Sequence, residues 1–147
     1  MGSPLLSILL VEDDEIDREL FIRCLGRQED RLNITIASDA AEALAILQGR
    51  PEHPALGRPY VILLDLSLPG ISSFEFLQIV RQDPALKRST VFVLTASDNP
   101  QDKVDAYNYN VAGFISKEQL DTQCSQLIEM FEIYRRINFS PSQIKSE

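Results

Sequence analysis

Five apolar runs alternate along the chain with five segments whose apolar residues recur at helical spacing, and no internal repeat underlies the alternation. The pattern predicts βα units around a parallel sheet. Residues 5–11 form the first predicted strand. From about Glu15 onward, Ile16, Leu20, Phe21, Cys24 and Leu25 recur with the helix period until Gly26 stops it. Residues 33–37 make a short second strand. Asp39-Ala40-Ala41-Glu42 has the form of a capping box opening an Ala- and Leu-rich helix that ends at Gly49. Three prolines and two glycines between Gly49 and Pro59 cannot continue that helix and predict a long surface loop. Residues 60–64 are the third strand, and Ser72-Ser73-Phe74-Glu75 caps a helix whose apolar side carries Phe74, Leu77, Ile79 and Val80 and which closes near Asp83-Pro84. Residues 90–95 are the fourth strand. Asn99-Pro100 opens the fourth helix with proline in the first helical position, and residues 113–116 are a compact fifth strand.

The last helix, expected from about Glu118 to about Ile137, carries more apolar surface than one core requires. Leu120, Cys124, Leu127 and Phe131 share one side, while Met130, Ile133 and Ile137 gather about 120° away in a projection at about 100° per residue. This second stripe, with Phe139 beyond it, is a candidate partner interface. The expected organisation is a leader at residues 1–4, one domain at 5–137 and a tail at 138–147.

At 147 residues the chain suits one domain with one core. No apolar stretch approaches the roughly 20 residues that span a bilayer, and no basic segment followed by an apolar one opens the chain, so a cytoplasmic protein is expected. A formal charge of -8 repels nucleic-acid phosphate and anionic membrane, which argues against both as partners. Cys24 and Cys124 fall on apolar helical stripes and are expected to be buried as small hydrophobes, without zinc or redox chemistry. His53, the single histidine, lies in the proline-rich loop and is expected to be solvated.

The chemistry lies at strand ends. Tyr60-Val61-Ile62-Leu63-Leu64 delivers Asp65 to a Pro-Gly turn, and Leu9-Leu10-Val11 leads into Glu12-Asp13-Asp14. Like charges packed so closely are unfavourable unless a cation or a proton relieves them, so the two segments together read as an oxygen cage for a hard metal ion. In a doubly wound sheet ligands bind outside the carboxyl ends of the strands, which gathers Glu12, Asp13, Asp65, Thr95 and Lys117 at one edge.

Val11-Glu12-Asp13-Asp14, the Leu64-Asp65-x-x-Leu68-Pro69-Gly70 segment, Leu94-Thr95-Ala96 and Gly113-Phe114-Ile115-Ser116-Lys117 resemble, in that order, the receiver domain of two-component response regulators. The resemblance covers about residues 5–136. It implies a flavodoxin-like, doubly wound α/β fold with five parallel strands in the order 2-1-3-4-5 and five helices. It implies that Asp65 accepts a phosphoryl group from a sensor histidine kinase, and that Glu12, Asp13, Asp65 and the Ser67 backbone carbonyl hold Mg²⁺. Thr95 and Lys117 would stabilise the phosphoryl group. Thr95 and Phe114 would form the switch that reshapes the surface of the fourth helix, fifth strand and fifth helix. The implied protein is a signalling protein rather than an enzyme, of the stand-alone type, acting on a downstream protein or phosphotransfer partner.

The long loop before the third strand, Asp83-Pro84-Ala85-Leu86-Lys87, Ala106-Tyr107 with Val111-Ala112-Gly113, and Phe139 in the tail are similar to single-domain regulators that serve phytochrome-type histidine kinases. The second apolar stripe of the last helix adds the expectation of a homodimer through the fourth and fifth helices or exchanged tails. Two departures bear on the site: Glu118 follows Lys117 where many members have proline, and Ser73 stands where glycine is frequent. The rivals are a phosphorylation-independent interaction module, an aspartyl-phosphate phosphatase of the haloacid dehalogenase type, which wants an acid where Ser67 stands, and a flavodoxin-like cofactor binder, which wants a Ser/Thr/Gly-rich phosphate loop where Glu12-Asp13-Asp14 would repel phosphate.

Overall fold

The computed structural model describes residues 6–26, 31–68, 70–96 and 99–137. Ten elements alternate: β1 (Leu6–Val11), α1 (Glu15–Leu25), β2 (Leu32–Ala37), α2 (Ala40–Leu47), β3 (Tyr60–Asp65), α3 (Ser73–Gln82), β4 (Thr90–Thr95), α4 (Pro100–Tyr107), β5 (Gly113–Ser116) and α5 (Leu120–Ile137). The five strands form one parallel sheet in the order β2-β1-β3-β4-β5, as the sequence leads one to expect. Register aligns the carboxyl ends: Val11 pairs with Leu64, Asp65 with Leu94 and Thr95 with Ser116. The residues that follow these positions therefore emerge along one edge.

A parallel sheet covered on both faces needs strands apolar on both sides. Ile8 and Leu10 of β1 and Leu63 of β3 pack with Phe21 and Leu25 of α1 and Leu127 and Phe131 of α5. Leu9, Val11, Ile62 and Leu64 point the other way, into Ala43 and Leu44 of α2, Phe76 and Val80 of α3, and Ala106 of α4. Helix ends follow the local chemistry. Asp14 accepts from the Ile16 and Asp17 amides, Asp39 from Glu42, Ser72 from Glu75 and Asn99 from Gln101. Gly49, at φ 72°, takes the left-handed conformation that lets the chain leave α2. Helix α5 begins at Leu120, two residues later than expected, because the Gln119 and Leu120 amides bond to the Ser116 and Lys117 carbonyls in a turn.

One expectation is overturned. Cys24 and Cys124 are not separate buried thiols but a disulfide, with Cα atoms 5.7 Å apart, tying α1 to α5. Both lie on the inward stripes of two helices that share a sheet face, so the fold brings together positions 100 residues apart. The candidate interface divides. Met130 packs in part against the core, whereas Ile133 is 50% exposed. The Ile137 side chain and Phe139, like the expected leader and tail, lie outside the described residues.

Candidate functional site

Three carboxylates meet where β1 and β3 end. Glu12, fully buried, follows Val11, and its amide donates to the Ala37 carbonyl at 3.1 Å. Asp13 beside it is exposed, and Asp65, 4% exposed, is the last residue of β3. One oxygen from each of Glu12, Asp13 and Asp65 lies within 4.8 Å of the others. Oxygen donors in this number suit a hard cation such as Mg²⁺, which keeps several of its waters.

Lys117 reaches this cluster from the end of β5. Its amide donates to the Thr95 carbonyl at 3.0 Å, which sets the root of the side chain beside Thr95. Its ammonium lies 2.6 Å from Glu12 Oε1, 2.8 Å from Asp17 Oδ2 and 3.4 Å from Asp65 Oδ1. The Glu12 contact is close and ionic but lacks the geometry of a directed hydrogen bond, whereas Lys117 donates one to Asp17. The Lys117–Glu118 peptide is trans, since Arg58–Pro59 is the only cis peptide among the described residues.

The electrostatics follow from burial and crowding. Burial, with the neighbouring Asp65 carboxylate, pushes Glu12 from the ordinary 4.5 up to about 7, against the opposing pull of Lys117. For Lys117, burial alone would lower the pKa, but the hydrogen bond to Asp17, the close ionic contact with Glu12 and the charge of Asp65 raise it, so the ammonium stays charged. A site with four acids and one lysine is therefore short of positive charge. A divalent cation corrects that.

Three supports were not read from sequence. Ser73 does not require a positive φ; it begins α3, is 1% exposed, and its hydroxyl donates to the Asp65 carbonyl at 2.5 Å. The Ser67 amide donates to Asp65 Oδ1 at 3.2 Å, fixing the carboxylate from the loop side. Asp17 is the third: it stands in the first turn of α1, where an acid is ordinarily read as a partner of the helix dipole. The signal that could have found it is its place one turn beyond the Asp14 cap, on the helix that follows Glu12.

Thr95 ends β4, and Phe114 lies in β5 beside it. The Phe114 ring is partly buried, in a T-shaped contact with Tyr107 at 5.1 Å between centroids, with the Lys103 ammonium 5.9 Å over its face. Thr95 and Phe114 also line a cavity of about 590 Å³ with Phe92, Leu120, Leu127 and Met130. The predicted cluster of Glu12, Asp13, Asp65 and Lys117 is thus assembled, while Thr95 and Phe114 adjoin it toward α4 and α5.

Comparison with known proteins agrees with this geometry. The family model described as the response regulator receiver domain matches residues 8–130. Response regulator Rcp1 of Synechocystis sp. is 37% identical over 118 residues, covering 80% of each chain. The crystal structure of the Mn²⁺-bound form of Rcp1 superposes with a TM-score of 0.76 at 31% identity, over 94% of this chain and 99% of that one. The phosphorylated cyanobacterial phytochrome response regulator RcpA superposes with a TM-score of 0.78 at 31% identity, over 93% and 98%. The acidic pocket accords with the Mg²⁺ cofactor of receiver domains. The chain belongs to the response regulator receiver domain family.

Proposed function

We propose that this protein is a single-domain response regulator that takes a phosphoryl group from a sensor histidine kinase onto Asp65, with Mg²⁺ held by Glu12, Asp13, Asp65 and the Ser67 carbonyl. The observation that carries the reading is the convergence of the Glu12 and Asp13 carboxylates and the Lys117 ammonium on a buried Asp65. An Asp65 oxygen attacks the phosphorus of a phosphohistidine, the P–N bond breaks and an acyl phosphate forms. Lys117 supplies positive charge to the phosphoryl oxygens, and Mg²⁺ at the three carboxylates offsets the rest. Ser73 and the Ser67 amide hold Asp65 in place.

Thr95 then donates its hydroxyl to the new phosphoryl group, and Phe114 follows by rotating on the α4, β5 and α5 side. The surface so changed, with Met130 and Ile133, is where a downstream protein, a phosphotransfer protein or a second copy binds. Likeness to the phytochrome response regulator RcpA and to the bacteriophytochrome response regulator AtBRR, the latter at 33% identity and a TM-score of 0.67, supports a phytochrome-type kinase as the donor. No helix among the described residues is long and apolar enough to cross a membrane, and a cytoplasmic site of action fits a kinase donor. A reducing compartment would press on the Cys24–Cys124 bond.

The test is phosphotransfer. A bacteriophytochrome-type kinase, autophosphorylated on histidine, passes label to the wild-type chain within the time of mixing and not to Asp65→Asn. Label that persists on Asp65→Asn removes the assignment of the acceptor.

A further inference from the structure

We propose that Asp17 is a positioning residue for Lys117, holding the ammonium beside Asp65 when the metal draws the other carboxylates away. The inference rests on the receiver chemistry proposed for Asp65. Lys117 carries its charge on a flexible stem of four carbons, so its usefulness at a phosphoryl group depends on what holds the far end. In this structure the anions within reach are Glu12 at 2.6 Å, Asp17 at 2.8 Å and Asp65 at 3.4 Å. Glu12 and Asp65 both belong to the trio that converges as metal donors, and Asp17 does not. A bound cation competes with Lys117 for two of its three anions and leaves the third untouched.

Asp17 is itself held. The Asp14 side chain accepts from its amide at 3.1 Å and from that of Ile16 at 2.8 Å, which fixes the first turn of α1. From there the Asp17 carboxylate takes a directed hydrogen bond from Lys117, whose side chain is 11% exposed against 26% for Asp17. An ammonium has three donors. One on Asp17 anchors the stem, and the others remain for oxygens on the Asp65 side. The 3.4 Å separation from Asp65 Oδ1 leaves the ammonium one short movement from a phosphoryl oxygen attached there.

The experiment compares wild type, Asp17→Ala, Asp17→Asn, Lys117→Ala and the double variant Asp17→Ala/Lys117→Ala. It reads phosphorylation by phosphoramidate at saturating Mg²⁺, the Mg²⁺ dissociation constant, and the affinity for beryllofluoride as a phosphoryl mimic. The expected result is a fall of about fivefold or more in both the rate and the beryllofluoride affinity for Asp17→Ala, the size of one well-placed ion pair. Mg²⁺ affinity changes by less than about twofold, because Asp17 is not a metal donor. Asp17→Asn, which keeps an acceptor without the charge, falls between, and covers the case in which Asp17→Ala fails to fold. In the Lys117→Ala background the substitution has no further effect. An unchanged or raised rate in Asp17→Ala overturns the proposal, as does an equal loss with and without Lys117, which would mark Asp17 as a support of α1 alone. A wild-type chain that neither gains phosphoryl nor binds beryllofluoride overturns the receiver reading and this inference with it; an active wild type matched by Asp17→Ala overturns only the inference.

Discussion

The Ser73 hydroxyl donates to the backbone carbonyl of Asp65 at 2.5 Å, joining the start of α3 to the end of β3 across the loop that follows the acceptor. Ser73 is buried, so deleting its hydroxyl takes a donor from a carbonyl that water cannot readily replace. Ser73→Ala is expected to cost about 1–2 kcal/mol of unfolding free energy. Because the bond also fixes the backbone that carries the acceptor, phosphoramidate should phosphorylate the variant several-fold more slowly at equal Mg²⁺. A denaturant series and a time course of intact mass check the two halves; a variant as stable and as fast as wild type would show that the bond is dispensable.

The Cys24–Cys124 disulfide closes a loop of sequence separation 100 between α1 and α5. A cross-link over such a span stabilises chiefly by restricting the unfolded chain, typically by about 2–4 kcal/mol. Reduction, or Cys24→Ala with Cys124→Ala, should lower the urea midpoint accordingly. Phosphorylation of the folded protein should persist, since neither cysteine is part of the acidic cluster. Identical midpoints with and without reductant would show that the bond does not form in solution.

Glu12 binds a proton more tightly folded than unfolded, with a pKa of about 7 against 4.5, because burial and the adjacent Asp65 disfavour its charge. Its contribution to stability is therefore full below the unfolded value and is lost as pH rises through about 7. Metal-free protein should be less stable at about pH 8 than at about pH 5, and the loss should shrink in Glu12→Gln, which cannot ionise. Saturating Mg²⁺ should restore stability at the higher pH. Equal pH dependence in wild type and Glu12→Gln would remove Glu12 as the titrating group.

What could be read in the sequence was what periodicity and local chemistry encode. The runs from Leu9 to Val11 and from Val61 to Leu64 announce buried parallel strands, and the caps at Asp39, Ser72 and Asn99 place three helix starts within a residue. Because β1, β3 and β5 hand their charged residues to the same sheet edge, the meeting of Glu12, Asp13, Asp65 and Lys117 follows once the order of strands is known. What escaped depends on contacts between elements distant in the chain. Cys24 and Cys124 each sit on an ordinary apolar stripe, and only the packing of α1 beside α5 pairs them. Asp17 looks like any acid in a first helical turn until Lys117 arrives from β5. Ser73 falls in the capping box that the sequence shows, but its bond to the Asp65 carbonyl depends on β3 ending beside the start of α3.

Asp65, with Mg²⁺ at the neighbouring acids, is the proposed phosphoryl acceptor. The most direct measurement is intact-protein mass after incubation with phosphoramidate, with Mg²⁺ or with chelator, for wild type and Asp65→Asn. The expected result is a gain of one phosphoryl group in wild type with Mg²⁺, little gain with chelator and none in Asp65→Asn. A wild-type chain that binds no Mg²⁺ and gains no mass would contradict it and leave a phosphorylation-independent interaction module.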